Sequence, residues 1–226
     1  MTVLLVLFTL IVFLTVDHFV QQSRTRKVVE TVRSRVTSVA EALKQIPEGI
    51  ELAWNHTWTK KNGESIITVG LDEFVAKFFG AVERIVLPNA GDAAGRVCLV
   101  EGERSLQIAS PVEGKVVAVN PEVLRDPSAS YADPYGKGWL FQVQVPASRD
   151  HASGSRPTME WLREQVAAAR EFFLGHAGAQ NYALMQDGGA IVDGVLKMYD
   201  NGVWAEFGDR FLAVPSEADA TISDHK

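Results

Sequence analysis

The chain has 226 residues, one cysteine and a formal net charge of −6. That length holds one domain of moderate size plus appendages. A lone Cys98 excludes an intrachain disulfide and a cysteine-cluster metal site, and the acidic balance argues against a nucleic-acid partner.

Residues 1–20 read as a transmembrane helix. Thr2 to Val16 is apolar apart from threonines, and Phe19-Val20 extend the run past Asp17-His18. About 19 residues at ~1.5 Å each match a hydrocarbon core of ~30 Å. No basic residue precedes the run and no small-x-small site follows it, which favours an uncleaved anchor over a signal peptide. Arg24, Arg26, Lys27, Arg33 and Arg35 all follow the run. Positive flanks stay inside, so a single pass in the cell membrane with a cytoplasmic C-terminal bulk is expected. Residues 21–46 continue as a juxtamembrane helix, with Val28, Val29, Val32, Val36, Val39, Ala40 and Leu43 at helical steps. A stalk packed on the domain is expected, ahead of a coiled coil between two copies.

Residues 47–146 change to β character. Apolar runs at Ser65 to Gly70, Arg84 to Leu87, Val97 to Glu101, Ser105 to Ala109, Gly114 to Asn120 and Trp139 to Val145 predict strands. Turn clusters separate them, among them Lys61-Asn62-Gly63, Ser110-Pro111 and Asp133-Pro134-Tyr135-Gly136. One helix is predicted from Asp72 to Gly80, with Phe74, Val75, Phe78 and Phe79 on its apolar side. Short strands at this density predict a small sandwich or flattened barrel. Cys98 falls in an apolar strand, which predicts a buried, inert thiol. The five histidines show no ligand spacing, so no metal site is expected.

Residues 147–156 read as a linker and 157–213 as a helical region. Ser155-Arg156-Pro157 should open a helix through Leu174, stopped by Gly175, with Trp161, Leu162, Val166, Phe172 and Phe173 as packing residues. Asp187-Gly188-Gly189 reads as a helix break, followed by helical patterns from Ala190 to Asp200 and Val203 to Leu212. Residues 214–226 form a polar tail. The fold class is therefore α+β: anchor and stalk helices, a β sandwich and C-terminal helices.

Residues 47–146 also resemble a known family. His56-Thr57-Trp58, Thr68-Val69-Gly70-Leu71-Asp72, Leu87-Pro88 with Gly91-Asp92, Ser110-Pro111-Val112-Glu113-Gly114, and Asp133-Pro134-Tyr135-Gly136-Lys137-Gly138-Trp139-Leu140 occur in order with fitting gaps. Together they resemble the glycine cleavage system H protein, a lipoyl-type domain. Within such a fold Gly70 should let the chain pass from strand to helix. Gly136 and Gly138 should supply φ > 0, so that Trp139 turns onto the core. The tail with Gly188-Gly189 and Trp204-x-x-Phe207 is similar to tails on membrane-bound relatives, which assigns no activity.

The resemblance implies that the chemistry sits at the tip of one hairpin, where the family reads Val-Glu-Ser-x-Lys and lipoate is joined to the lysine. This chain reads Val100-Glu101-Gly102-Glu103-Arg104, so Arg104 takes the lysine's place. No lysine lies between Lys77 and Lys115. A guanidinium does not lose a proton near neutrality and will not attack an activated acyl group. Lipoate is therefore expected to be absent, and no catalytic or metal residue is expected. Thr57 stands where the family usually has Glu, and Tyr131 where it usually has Asn. Glu101 and Glu103 read as solvated turn carboxylates. Arg104 reads as a surface arginine, with an anion or a partner carboxylate as its alternative partner.

These readings lead to a non-enzymatic, membrane-anchored scaffold or docking module at the cytoplasmic face, with an unidentified protein partner. One alternative is a functional H protein carrying an aminomethyl group in glycine decarboxylation. The other is a lipoyl-like adaptor of a transport system, whose domain would face outward.

Overall fold

The computed structural model describes residues 43–146, 156–176 and 192–213. The predicted anchor, the stalk to residue 42, residues 147–155, residues 177–191 with the predicted Asp187-Gly188-Gly189 break, and the polar tail lie outside the described residues. Among those described, no helix is long and apolar enough to cross a membrane.

Among the described residues, eight strands form two antiparallel sheets. The larger runs β1 (Ile50–Leu52), β2 (Thr57–Asn62), β3 (Ile66–Leu71), β8 (Phe141–Gln144), β7 (Lys115–Val119) in spatial order. The smaller runs β4 (Arg84–Val86), β5 (Arg96–Glu101), β6 (Arg104–Ala109). The chain crosses between them at Ser110-Pro111 to Gly114. Period-two alternation aims Val97 and Leu99 inward and leaves Cys98 half-buried on the other face. The expected fully buried thiol is thus corrected by strand register. Strands β1 and β2 were not expected. In β2 only Thr57 and Trp58 are buried and the rest is polar, so no alternating apolar signal marks it. Two short helices, α2 (Pro121–Arg125) and α3 (Ser128–Ala132), are likewise too brief to show a period.

Helix α1 (Glu73–Phe79) forms as predicted and starts for a clear reason. Asp72 Oδ1 accepts from the amides of Phe74 at 3.0 Å and Val75 at 3.4 Å, satisfying donors the helix leaves free. Gly70 plays another part than expected. It lies within β3 opposite Trp58, and a Cβ there would collide with the indole. Trp58 is buried and donates to Leu71 O at 2.9 Å and Pro134 O at 3.0 Å. Gly136 and Gly138 are needed for room rather than for positive φ. A Cβ on Gly138 would meet Asp133 O and Ser130 Cα at 2.7 Å each. It is Tyr135 and Leu140 from this loop that enter the core, with Trp139 only partly buried.

The C-terminal helices depart from expectation in detail. Helix α4 (Met159–His176) starts two to three residues later, after Thr158, whose hydroxyl accepts from Trp161 N at 3.2 Å. It also runs through Gly175, where exposed backbone tolerates the ~1 kcal/mol cost of a glycine. In place of two regular helices there is a 3-10 turn (Val195–Met198), α5 (Asn201–Phe207) and a π turn (Gly208–Leu212). Asp200 caps α5 through Gly202 N at 2.9 Å and Val203 N at 3.1 Å, which fixes the break.

All of this shares one core. Helix α1 lies between the β layers and the C-terminal helices. Phe78 meets Phe173 at 5.7 Å, Phe79 meets Trp204 edge-on at 5.5 Å, and Phe207 meets Phe173 at 5.3 Å. Each fully buried aromatic of this kind contributes roughly 1.5–3 kcal/mol. The C-terminal helices therefore pack on the β domain itself.

Candidate functional site: the hairpin tip and its cover

Strands β5 and β6 pair in register from Arg96 opposite Ala109 to Glu101 opposite Arg104. That register leaves Gly102 and Glu103 as the two-residue turn, with Gly102 at φ +59° as such turns require. The four residues singled out by sequence are thus brought together, but their surroundings differ from the expected solvated tip.

Glu101 is half-buried and doubly engaged. One carboxylate oxygen accepts from Glu83 N at 3.1 Å and from Lys197 Nζ at 3.0 Å. In return, Gly102 N donates to the Glu83 carboxylate at 2.9 Å. The reciprocal pair clamps the turn onto the residues after α1. Lys197 Nζ also donates to Ala81 O. Of the two carboxylates, Glu103 keeps the expected open, exposed position.

Arg104 is not a free surface arginine but is held within the chain. Its Nη1 donates to Lys197 O at 3.2 Å and to Tyr199 O at 2.5 Å. These carbonyls close the 3-10 turn, where main-chain acceptors are left over and the local dipole is negative. The guanidinium carbon also lies 4.7 Å from the centre of the Trp204 ring, within cation–π range. Trp204 is fixed in turn by its indole N–H on Leu196 O at 2.8 Å and by Phe79. Tyr199 donates its hydroxyl to Phe173 O at 3.1 Å, and burial pushes that phenol above its ordinary range.

Sequence reasoning missed Glu83, Lys197, Tyr199 and Trp204 as tip residues. Only Tyr199 and Trp204 carried a signal, as aromatics in the apolar set of the C-terminal helical patterns. Nothing in the linear pattern links Lys197 to a turn nearly a hundred residues earlier.

A second polar cluster lies beside α1, around a cavity of about 330 Å³ lined by Lys44, Glu73, Lys77, Tyr131 and Asp193 among others. Lys77 pairs with Asp193 at 3.3 Å, the Lys44 backbone amide donates to the Glu73 carboxylate at 2.7 Å, and Lys44 Nζ donates to Ala132 O at 3.3 Å. Tyr131, at the position where the family usually has Asn, donates to Asp193 at 3.0 Å, and burial followed by that carboxylate raises its hydroxyl's pKa. Thr57, the other departure, is fully buried and donates to Asn55 at 2.7 Å.

The model of the family described as "Glycine cleavage H-protein" matches residues 50–158. The glycine cleavage system H protein of Alteromonas mediterranea is 31% identical over 107 residues, covering 46% of this chain and 83% of that one. This chain belongs to the glycine cleavage H-protein family. The H protein of Carboxydothermus hydrogenoformans is 36% identical over 104 residues, covering 44% of this chain and 79% of that one. That of Magnetococcus marinus is 30% identical over 133 residues, covering 56% and 94%. The family match contains the whole hairpin, whereas every residue of the C-terminal cover falls after its last matched position.

Proposed function

We propose that this family member does not carry lipoate and acts as a non-catalytic scaffold or docking module, anchored by residues 1–20 and facing the cytoplasm. The carrying observation is Arg104 at the tip of the β5–β6 hairpin. Its side chain serves two main-chain carbonyls and the face of Trp204. An acyl acceptor at that place must be an amine, free and able to lose its proton. A guanidinium offers no such nitrogen. The lysine that does reach the tip, Lys197, comes from outside the hairpin and is paired with Glu101. The residues present therefore do not fit a lipoyl arm, and no step through one is assigned. The membrane anchor rests on the length and flanks of the 1–20 segment.

The deciding experiment is intact-mass measurement on the chain purified from detergent-solubilised membranes of its own cells. The unmodified mass is expected. A lipoyl increment at any lysine would overturn the reading and favour a working aminomethyl carrier. A topology reporter after Val145 active only outside the cytoplasm would favour the transport-adaptor alternative.

A further inference from the structure

We infer that the segment Val195–Leu212 is a built-in cover for one side of the hairpin tip, an autoinhibitory contact that withholds Arg104 from partners in solution. The cover does not depend on whether any lysine carries lipoate.

Its contacts fall on one face of the hairpin, where Glu101 of β5 and Arg104 of β6 stand opposite each other. Lys197 holds Glu101 at 3.0 Å. Directly across the ladder, the carbonyls of Lys197 and Tyr199 take both bonds of Arg104 Nη1, and Trp204 covers its face. Further along β6, Gly208 rests on Leu106 so closely that a Cβ would run into the leucine methyl. Behind this face Trp204, Phe207 and Phe211 are buried in the shared core, so the cover has an anchored back and a polar front. Gly102 and Glu103 stay exposed. The two turn residues are thus open, and the Glu101–Arg104 pair that flanks them is held by the cover.

The two fronts differ in strength. The aromatic back is dry and extensive. The polar front rests on a partly exposed ion pair, two carbonyl bonds and one glycine contact, the kind of boundary that opens locally without global unfolding. A protein that docks on Arg104 must first displace this front, so docking there carries the cost of opening it.

The test is arginine footprinting of the full chain with phenylglyoxal, read by peptide mass spectrometry. Arg84 and Arg96, both exposed on neighbouring strands, serve as internal references. Arg104 should react at least about fivefold more slowly than either, because it reacts only while the front is open. In the variant K197E/G208L, which repels Glu101 and wedges Leu106, the Arg104 rate should rise to within about twofold of the references. Amide exchange in β3 and β8 should remain unchanged in that variant, showing that the domain is still folded. Equal rates for the three arginines in the unmodified chain would overturn the cover. So would an Arg104 rate that stays low in a variant whose Val195–Leu212 amides exchange freely. A lipoyl mass increment would sink the non-carrier reading and leave this result standing.

Discussion

The Trp58–Asp133 corner and the hairpin tip lie in the same family domain, yet they are held in different ways. At the corner most of the contacts lie inside the matched region, although Trp161, beyond it, stacks on His56 at 4.7 Å. Trp58 bonds Leu71 and Pro134, Gly70 gives its ring room, and Gly138 lets the 133–140 loop close. Asp72 ties its helix cap to His56 Nδ1 at 2.9 Å, both side chains fully buried. At the tip, Arg104 and Leu106 are held from beyond that region, by Lys197, Tyr199, Trp204 and Gly208. The corner's bonds are closed by residues of the matched region, and those of Arg104 by the C-terminal segment that follows it.

The sharpest way to test that division is to damage the corner. Trp58→Ala should cost about 3–5 kcal/mol, since it empties a buried indole site and orphans two carbonyl acceptors. Denaturant unfolding should show the loss, with the C-terminal helices melting in the same transition because they share the core. A separate, unaffected transition for those helices would break the picture of one core.

How much of this was legible follows from the same division. The corner could be read because its residues are bunched into short motifs: His56-Thr57-Trp58, Gly70-Leu71-Asp72 and Asp133 to Leu140. Even there, the physical roles of Gly70, Gly136 and Gly138 were misread. A steric need for a missing Cβ and a backbone need for positive φ write the same letter in a sequence. The hairpin, its tip at Glu101 to Arg104 and the lack of a lysine there were also legible, but not that Gly102 and Glu103 alone form the turn. The cover was not. Its contacts join Glu101 and Arg104 to residues more than 90 positions away, through carbonyl oxygens that every residue type supplies.

Damage at the tip should be smaller and confined. Arg104→Lys removes the planar face over Trp204 and the fork that serves two carbonyls at once. A loss of about 1–2 kcal/mol is expected, discounted for partial exposure. Hydrogen exchange should locate it: protection should fall across Val195–Leu212 and hold in β2, β3 and β8. In a double-mutant cycle with Lys197→Ala, the two losses should be non-additive by more than about 0.5 kcal/mol, because both side chains hold the same turn. Strict additivity would mean that tip and cover do not act as one unit.

The smallest expected effect lies at the start of α1. Glu73 opens that helix, and burial raises its carboxyl pKa above the ordinary range, against the lowering influence of the Lys44 amide and charge. A carboxyl whose pKa is raised on folding favours the folded state while it is protonated in both states. That support is lost as pH rises through the folded value, because the ionised form is the one burial penalises. Glu73→Gln should therefore be neutral or slightly stabilising near pH 7, since the amide oxygen can still accept from Lys44 N. The advantage over the parent should shrink as pH falls toward the usual glutamate value of about 4.3. Thermal melts of the two proteins from pH 4 to 8 measure it directly. Because Glu73 bonds Lys44 and Tyr135 rather than the residues that hold Arg104, the phenylglyoxal rate of Arg104 should be the same in both. A change in that rate would mean that the start of the helix also governs the cover, and the cover would then be a property of α1 rather than of the tip.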